Sequence, residues 1–327
     1  MKICLQGFFC VLLNLLSVLV FSQQLPQFTQ FYFTQLPFNP AYVGSKSGVN
    51  IESAIRVQWL GIQGQPFTQT LGVHVPASRL RSGLGLHLSN DQLGVERNTK
   101  VQLSYAYQHR FKRKALLALG LQGGMIQKSL NGAALISPEG IYDAGIDHND
   151  NLLPNTTEMA FAPTVGVGIY FATKSLTLGA STQQLLPSSF SLTAATNETL
   201  LLSNYQHYFL YGSYKWALNY TISLQPSFLL KSDLKTQQLD LGILAFYKDF
   251  IHFGSVLRGY KPKSLNAVSI VVGISLSDKL MLSYSYDAVL SSLNNNNYGS
   301  HEMVLHYRLS SVLPSKSGKI MHNPRFM

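Results

Sequence analysis

The chain has 327 residues and a formal net charge of +10. Hydrophobic residues make up 46% and charged residues only 12%, where a soluble domain carries about one quarter charged residues. That balance argues against a disordered chain, and two cysteines confined to Cys4 and Cys10 argue against a disulfide scaffold or a cysteine-ligated metal centre.

Residues 1–22 have the pattern of a secretory signal: Lys2, then an apolar run from Phe8 to Phe21 broken by Asn14, then Ser22. Cleavage is expected between Ser22 and Gln23, which leaves a mature chain without cysteine, as suits an extracytoplasmic protein that does not rely on disulfides. Residues 23–48 follow as a Gln-rich, aromatic segment whose Pro37 and Pro40 cannot serve a central ladder. It is expected to stand apart from the strands, as a periplasmic or lumenal segment.

Beyond the signal no stretch of about 18 apolar residues appears, so membrane-spanning helices are ruled out and a closed β-barrel is the remaining way across a bilayer. Period-two alternation recurs along the chain. Leu84, Leu86 and Leu88 alternate with Gly83, Gly85, His87 and Ser89; Val101, Leu103, Tyr105 and Tyr107 with Gln102, Ser104, Ala106 and Gln108; Leu280, Leu282, Tyr284 and Tyr286 with Met281, Ser283, Ser285 and Asp287. The apolar face often ends in Tyr or Phe, as the aromatic girdles of a membrane barrel require. The pattern predicts fourteen strands at 49–58, 67–75, 82–90, 99–109, 115–126, 159–171, 174–182, 204–215, 220–230, 237–247, 250–259, 266–276, 279–287 and 299–309. The barrel thus spans 49–309, and 310–327 is expected to be a periplasmic C-terminal tail.

Connections after the even-numbered segments are short, and the long ones, 127–158, 183–203 and 288–298, all follow odd-numbered segments. Outer-membrane barrels have short periplasmic turns and longer extracellular loops, so this parity puts both termini in the periplasm. The short turns and the tail carry thirteen basic residues against Asp249 and Asp278. Membrane-edge anchoring and docking to an acidic periplasmic partner both fit this basic rim. The charges are scattered over turns of an exported chain, which argues against nucleic acid.

Several runs resemble the PorP/SprF family: Asn39-Pro40-Ala41-Tyr42-Val43-Gly44-Ser45; Arg56-Val57-Gln58-Trp59-Leu60-Gly61-Ile62 followed by Pro66-Phe67; Gly83-Leu84-Gly85-Leu86; Tyr284-Ser285-Tyr286-Asp287; Gly299-Ser300-His301-Glu302; and the terminal Asn323-Pro324-Arg325-Phe326. They occur in the family's order from about residue 23 to the end. Where the family's tail often has a cysteine, this chain has Asn323, so a thiol role does not carry over. The resemblance implies an outer-membrane component of the Bacteroidota type IX secretion and gliding machinery that is not an enzyme. It also implies as partners secreted adhesin-like proteins, an OmpA-like peptidoglycan-binding lipoprotein and periplasmic ring proteins. Pro324, Arg325 and Phe326 are then the candidate periplasmic docking residues.

The residues themselves offer little chemistry. No Gly-x-Ser-x-Gly, His-Glu-x-x-His or P-loop pattern occurs, and no catalytic residue or cofactor site is assigned. The acidic stretch from Asp143 to Asp150 matches no EF-hand spacing, so no metal site is assigned. His74, His87 and His306 fall on the inferred lumen face. So do the charged residues Glu52, Arg56, Asp240, Arg258, Asp287, Glu302 and Arg308. Glu52, Arg56, Glu302 and Arg308 are expected to gather where the first and last strands close the barrel. There they serve either as salt bridges that fix closure or as a charged conduction path. A passive channel for small or hydrophobic solutes is the alternative function.

Overall fold

The computed structural model describes residues 26–111, 115–143, 145–150, 152–186, 188–193, 199–259, 265–290 and 297–309. The expected signal with its Ser22–Gln23 junction, and the 310–327 tail with Pro324, Arg325 and Phe326, lie outside the described residues.

The wall is built from β1 (Val49–Val57), β2 (Phe67–Ala77), β3 (Ser82–Leu93), β4 (Glu96–Arg110), β5 (Leu116–Asn131), β6 (Thr157–Ala172) and β7 (Leu176–Gln183). It continues, after a hairpin of β8 (Ser188–Thr193) and β9 (Thr199–Asn204), through β10 (His207–Tyr214) and a two-residue β11 (Trp216–Ala217). β12 (Ile222–Ser232), β13 (Gln237–Tyr247), β14 (Ile251–Gly259), β15 (Leu265–Ser275), β16 (Leu280–Val289) and β17 (Ser300–Leu309) complete it. Neighbours pair antiparallel in chain order, β10 pairs with both β7 and β12, and β1 pairs with β17 in register from Val49↔Leu309 to Val57↔His301. The result is a closed antiparallel barrel of fourteen wall strands. Closure leaves no free sheet edge, which a strand in lipid could not tolerate.

The pleat sorts side chains as the alternation requires. Leu103, Phe161, Ile270 and Met303 point outward and are exposed, while Gln102, Ala162, Ser269 and Glu302 on the same strands point inward and are buried. Outward aromatics Tyr107, Tyr214, Trp216, Tyr247 and Phe250 collect near the rim where β1 begins and β17 ends, matching an interfacial girdle. The connections at that rim are short. One of them turns at Lys248 and Asp249, both at positive φ (53° and 52°), with Phe250 N–H donating to Tyr247 C=O at 3.0 Å, the twist that suits a tight hairpin.

The opposite rim carries the long connections, but not every connection there is long: β3 and β4 are joined by Gly94-Val95 alone. Two segments expected to be loop are partly strand. β5 and β6 extend the wall to Asn131 and back from Thr157, shortening the largest loop to 132–156. Within the expected 183–203 loop, β8 and β9 form a separate hairpin. Its Phe190 and Leu192 are fully buried against Ile126, Ala160 and Ala162 on the lumen side of β5 and β6. β8 alternates, with Phe190 and Leu192 against Ser189 and Ser191, but β9 runs Leu200-Leu201-Leu202 without alternation, so the period-two pattern does not mark the hairpin.

Candidate functional site: a packed lumen

The lumen is filled by the segment that precedes β1. From Phe28 to Tyr42 most side chains are buried, including Phe28, Phe31, Tyr32, Leu36, Phe38, Ala41 and Tyr42. The segment satisfies its own backbone with tight turns: Phe33 and Thr34 N–H donate to Gln30 C=O, and Phe38 and Asn39 N–H to Gln35 C=O. The Asn39-Pro40-Ala41-Tyr42 run then makes a short 3-10 helix. Asn39 caps it by accepting Ala41 N–H at 2.9 Å, and Pro40 occupies the first position, where a missing N–H costs nothing. The other end of the same amide donates to Ile169 C=O on β6 at 2.9 Å, so one side chain folds the turn and fastens it to the wall.

Wall glycines make the room. An added Cβ at Gly120 would sit 2.2 Å from the Ala41 nitrogen, at Gly168 2.1 Å from Asn39 Oδ1, and at Gly83 2.1 Å from Val43 C=O. Gly44, at φ +69°, passes Gly83 so closely that a Cβ there would come within 2.5 Å of its Cα. A non-glycine residue would therefore meet both backbone strain and a clash.

A six-charge network clasps the start of the segment. Arg56 on β1 donates to Asp287 on β16 at 2.6 Å and to Glu302 on β17 at 3.0 Å. Arg258 on β14 reaches Asp287 at 3.1 Å and Asp240 on β13 at 3.3 Å, and Lys231 on β12 pairs with Asp240 at 3.1 Å. Three cations thus balance three carboxylates. The five side chains other than Lys231 are at most 7% exposed. Thr29 is the hub: its N–H donates to Glu302 at 2.7 Å, its hydroxyl donates to Asp287 at 2.8 Å, and it accepts from Arg56 and Arg258 at 3.0 Å each. Gln30 N–H gives Glu302 its second backbone donor at 2.9 Å, and Gln27 Oε1 accepts from Lys231 and Gln238. Burying six charges is tolerable because each has partners of opposite sign and further hydrogen bonds.

A second cluster centres on Glu52. Tyr42 donates its hydroxyl to Glu52 at 2.8 Å, while His74, His306 and Lys46 stand 3.5, 3.6 and 3.7 Å from the same oxygen. Burial, and then the adjacent carboxylate, push the Tyr42 hydroxyl well above its ordinary range, so it remains a proton donor.

The expected seam grouping is therefore divided. Arg56 and Glu302 meet across β1 and β17 in direct register. Glu52 instead joins Tyr42 and the two histidines. Arg308 shares the lumen phase but is only half-buried, and its guanidinium donates to Asp278 C=O in the turn before β16. Glu52 lies four residues from Arg56 along β1 and Arg308 six from Glu302 along β17, about 13 and 20 Å, too far to reach the Arg56 group. Trp59, Gly61 and Pro66 lie at the far rim, in the β1–β2 connection. That connection zips to the last loop: Leu60 N–H donates to Gly299 C=O and Tyr298 N–H to Leu60 C=O, each at 2.8 Å, and Trp59 N–H donates to Ser300 at 3.1 Å. Trp59 and Gly61 take positive φ there (57° and 99°), and Gly61 lies under the Tyr298 ring.

Thr29, Gln30 and Lys231 escaped the sequence reading. Lys231 sits one residue past the expected end of its strand, in the lumen phase, so parity extended by one position finds it. Thr29 has no local signal. Lys128, itself buried, pairs with the partly exposed Glu96 at 2.8 Å and lies 5.5 Å from the Phe190 ring centre, within the stretch expected to be loop.

Fourteen antiparallel strands closed on themselves, apolar outside, with a polar lumen packed by the preceding segment, define an outer-membrane-type β-barrel. Solved barrels share this fold. The CymD monoaromatic hydrocarbon channel aligns with a TM-score of 0.50 at 12% identity over 85% of this chain and 93% of its own. The P. putida toluene transporter TodX aligns at 0.48 and 8% identity over 84% and 93%. The model of the type IX secretion system membrane protein family PorP/SprF matches residues 20–307, and the chain belongs to that family. No curated protein sequence matches it.

Proposed function

We propose that this chain is a non-enzymatic outer-membrane component of the type IX secretion system that assists secretion or surface retention of adhesin-like proteins. In this reading it links those clients to the periplasmic machinery, with an OmpA-like lipoprotein and ring proteins as partners. The observation that carries the reading is the packed lumen. Residues 26–48 occupy it, and hydrogen bonds and ion pairs hold Thr29 and Gln30 to the strands on both sides of the β1–β17 seam. A passive channel needs a hydrated path, whereas Phe28, Phe31, Leu36 and Phe38 are buried in the lumen where such a path would run. The loops and the tail, rather than the wall, then carry the specific work.

The test pairs conductance with client display. In planar bilayers the intact barrel is expected to be silent to small ions and a variant lacking 26–47 to conduct. In cells, deleting part of 132–156 is expected to leave an inserted barrel while abolishing surface retention of the client. Steady conductance and solute uptake by the intact barrel, with normal client display in the loop deletion, would establish the channel instead.

A further inference from the structure

The loop joining β5 to β6 has an unusual surface. Residues 132–156 contain Glu139, Asp143, Asp147 and Asp150 and neither lysine nor arginine. The loop is built rather than splayed. Gly132 N–H donates to Thr156 C=O at its base, and Ile141 and Asp147 exchange backbone hydrogen bonds at 2.7 and 3.1 Å. Tyr142 hydroxyl accepts Ser137 N–H at 2.7 Å and meets Nδ1 of the buried His148 at 3.0 Å. The loop's buried centre is therefore His148, with the exposed Tyr142 braced against it, and the aliphatic residues are left outside. Ile136, Ile141 and Ile146, five residues apart, are 83%, 61% and 41% exposed. All four carboxylates are exposed, and none makes an ion pair among the described residues.

Isoleucines held in water by an ordered loop gain nothing until something covers them. The charge selects what covers them. Anionic lipid and polyanionic glycan are repelled by four uncompensated carboxylates, and a neutral apolar partner leaves those carboxylates to be desolvated at a cost. A divalent cation would satisfy the carboxylates but not the isoleucines. We infer that the 132–156 loop docks a protein segment presenting aliphatic side chains flanked by lysine or arginine. The isoleucines supply the dry contact, and the carboxylates steer encounter and fix register. The inference rests on the reading above that this rim faces outward.

The experiment uses full-length protein in living cells, with Ile141 replaced by the photoreactive p-benzoylphenylalanine. A parallel Ile141→Cys variant is probed with a membrane-impermeant maleimide. Labelling of the cysteine from outside, and capture of a peptide of net positive charge with aliphatic residues, are expected. Capture should fall about tenfold when Glu139→Gln, Asp143→Asn, Asp147→Asn and Asp150→Asn are combined; these amides keep the acceptors that Asn149 and Leu152 N–H use. It should fall similarly in Ile136→Ser/Ile146→Ser, which keeps every charge. It should weaken as salt rises from about 0.05 to 0.5 M, where the screening length shrinks several-fold, and be indifferent to chelator. Both variants must remain heat-modifiable barrels; if one does not, salt dependence of capture by the parent decides. No outside labelling overturns the orientation, and the inference with it. Labelling with capture that ignores both variants, lands on lipid or an acidic peptide, or vanishes with chelator overturns the docking inference alone.

Discussion

Arg56→Met is the most informative single change in the lumen. It removes the cation that meets Asp287 at 2.6 Å and Glu302 at 3.0 Å, and the donor 3.0 Å from Thr29. Asp287 keeps Arg258 at 3.1 Å and Thr29, and Glu302 keeps two backbone N–H donors. The network nevertheless goes from neutral to one uncompensated buried negative charge. Deleting one partner of a buried pair costs about 3–5 kcal/mol. The remaining donors place Arg56→Met near the lower end, about 3 kcal/mol. Glu302→Gln added to Arg56→Met restores neutrality, and its single amide oxygen still serves one of the Thr29 and Gln30 N–H groups, which bind different oxygens of the carboxylate. The double variant is therefore expected to be more stable than Arg56→Met alone by about 1–2 kcal/mol, a coupling typical of residues in one network. Reversible urea unfolding in lipid vesicles, followed by Trp59 and Trp216 fluorescence and by heat-modifiable migration, measures both. If Arg56→Met costs less than about 1 kcal/mol, or the double variant costs the sum of the singles, the network does not hold the segment in the manner described.

Gly120 and Gly123 lie on opposite faces of β5 and form a matched pair: Gly120→Ala should cost about 1–3 kcal/mol by overpacking against Ala41, whereas Gly123→Ala, with nothing within 4 Å of its Cβ, should be near neutral, and equal effects in unfolding titrations would mean the segment does not fill the lumen. Leu103→Arg places a charge on the lipid face near mid-strand and should cost about 2–4 kcal/mol. Ser104→Arg faces the packed lumen and should also be costly, but deletion of 26–47 should relieve only the Ser104 change, as vesicle unfolding of the four combinations would show. A chain stopped after Ser311 should still form a heat-modifiable barrel, since β17 closes the wall by Leu309, yet should lose its periplasmic partner in a pull-down; failure to insert would assign the tail to assembly, and normal partner binding would make it inert.

The wall was legible because alternation is local. Each strand reports its own two faces, and Leu103 against Ser104 needs no knowledge of a neighbour. All fourteen wall segments follow from that period, as does the lumen face of Glu52, Arg56, Asp240, Arg258, Asp287, Glu302 and Arg308, whereas Lys128 and Lys231 lie beyond the expected strand ends. Loop boundaries were less legible, since β5 and β6 run on into residues of mixed polarity, and the β8–β9 hairpin, which packs inside the wall, lacks the alternation in β9 that would mark it. What local pattern cannot encode is who meets whom across the lumen. Thr29 and Asp287 are 258 positions apart, and Arg56 and Glu302 are 246 apart. Their meeting depends on closure of β1 on β17 and on the segment 26–48 entering the barrel rather than lying outside it. Gly83, Gly120 and Gly168 read as small lumen residues, but only the fold shows that they are small because Val43, Ala41 and Asn39 press against them. Composition and period determined a lipid-facing barrel; the partition of its buried charges between a Thr29 hub and a Glu52 cluster was decided by tertiary packing, because charge pairing in a low-dielectric lumen is set by distances of 3–4 Å that no spacing along the chain specifies.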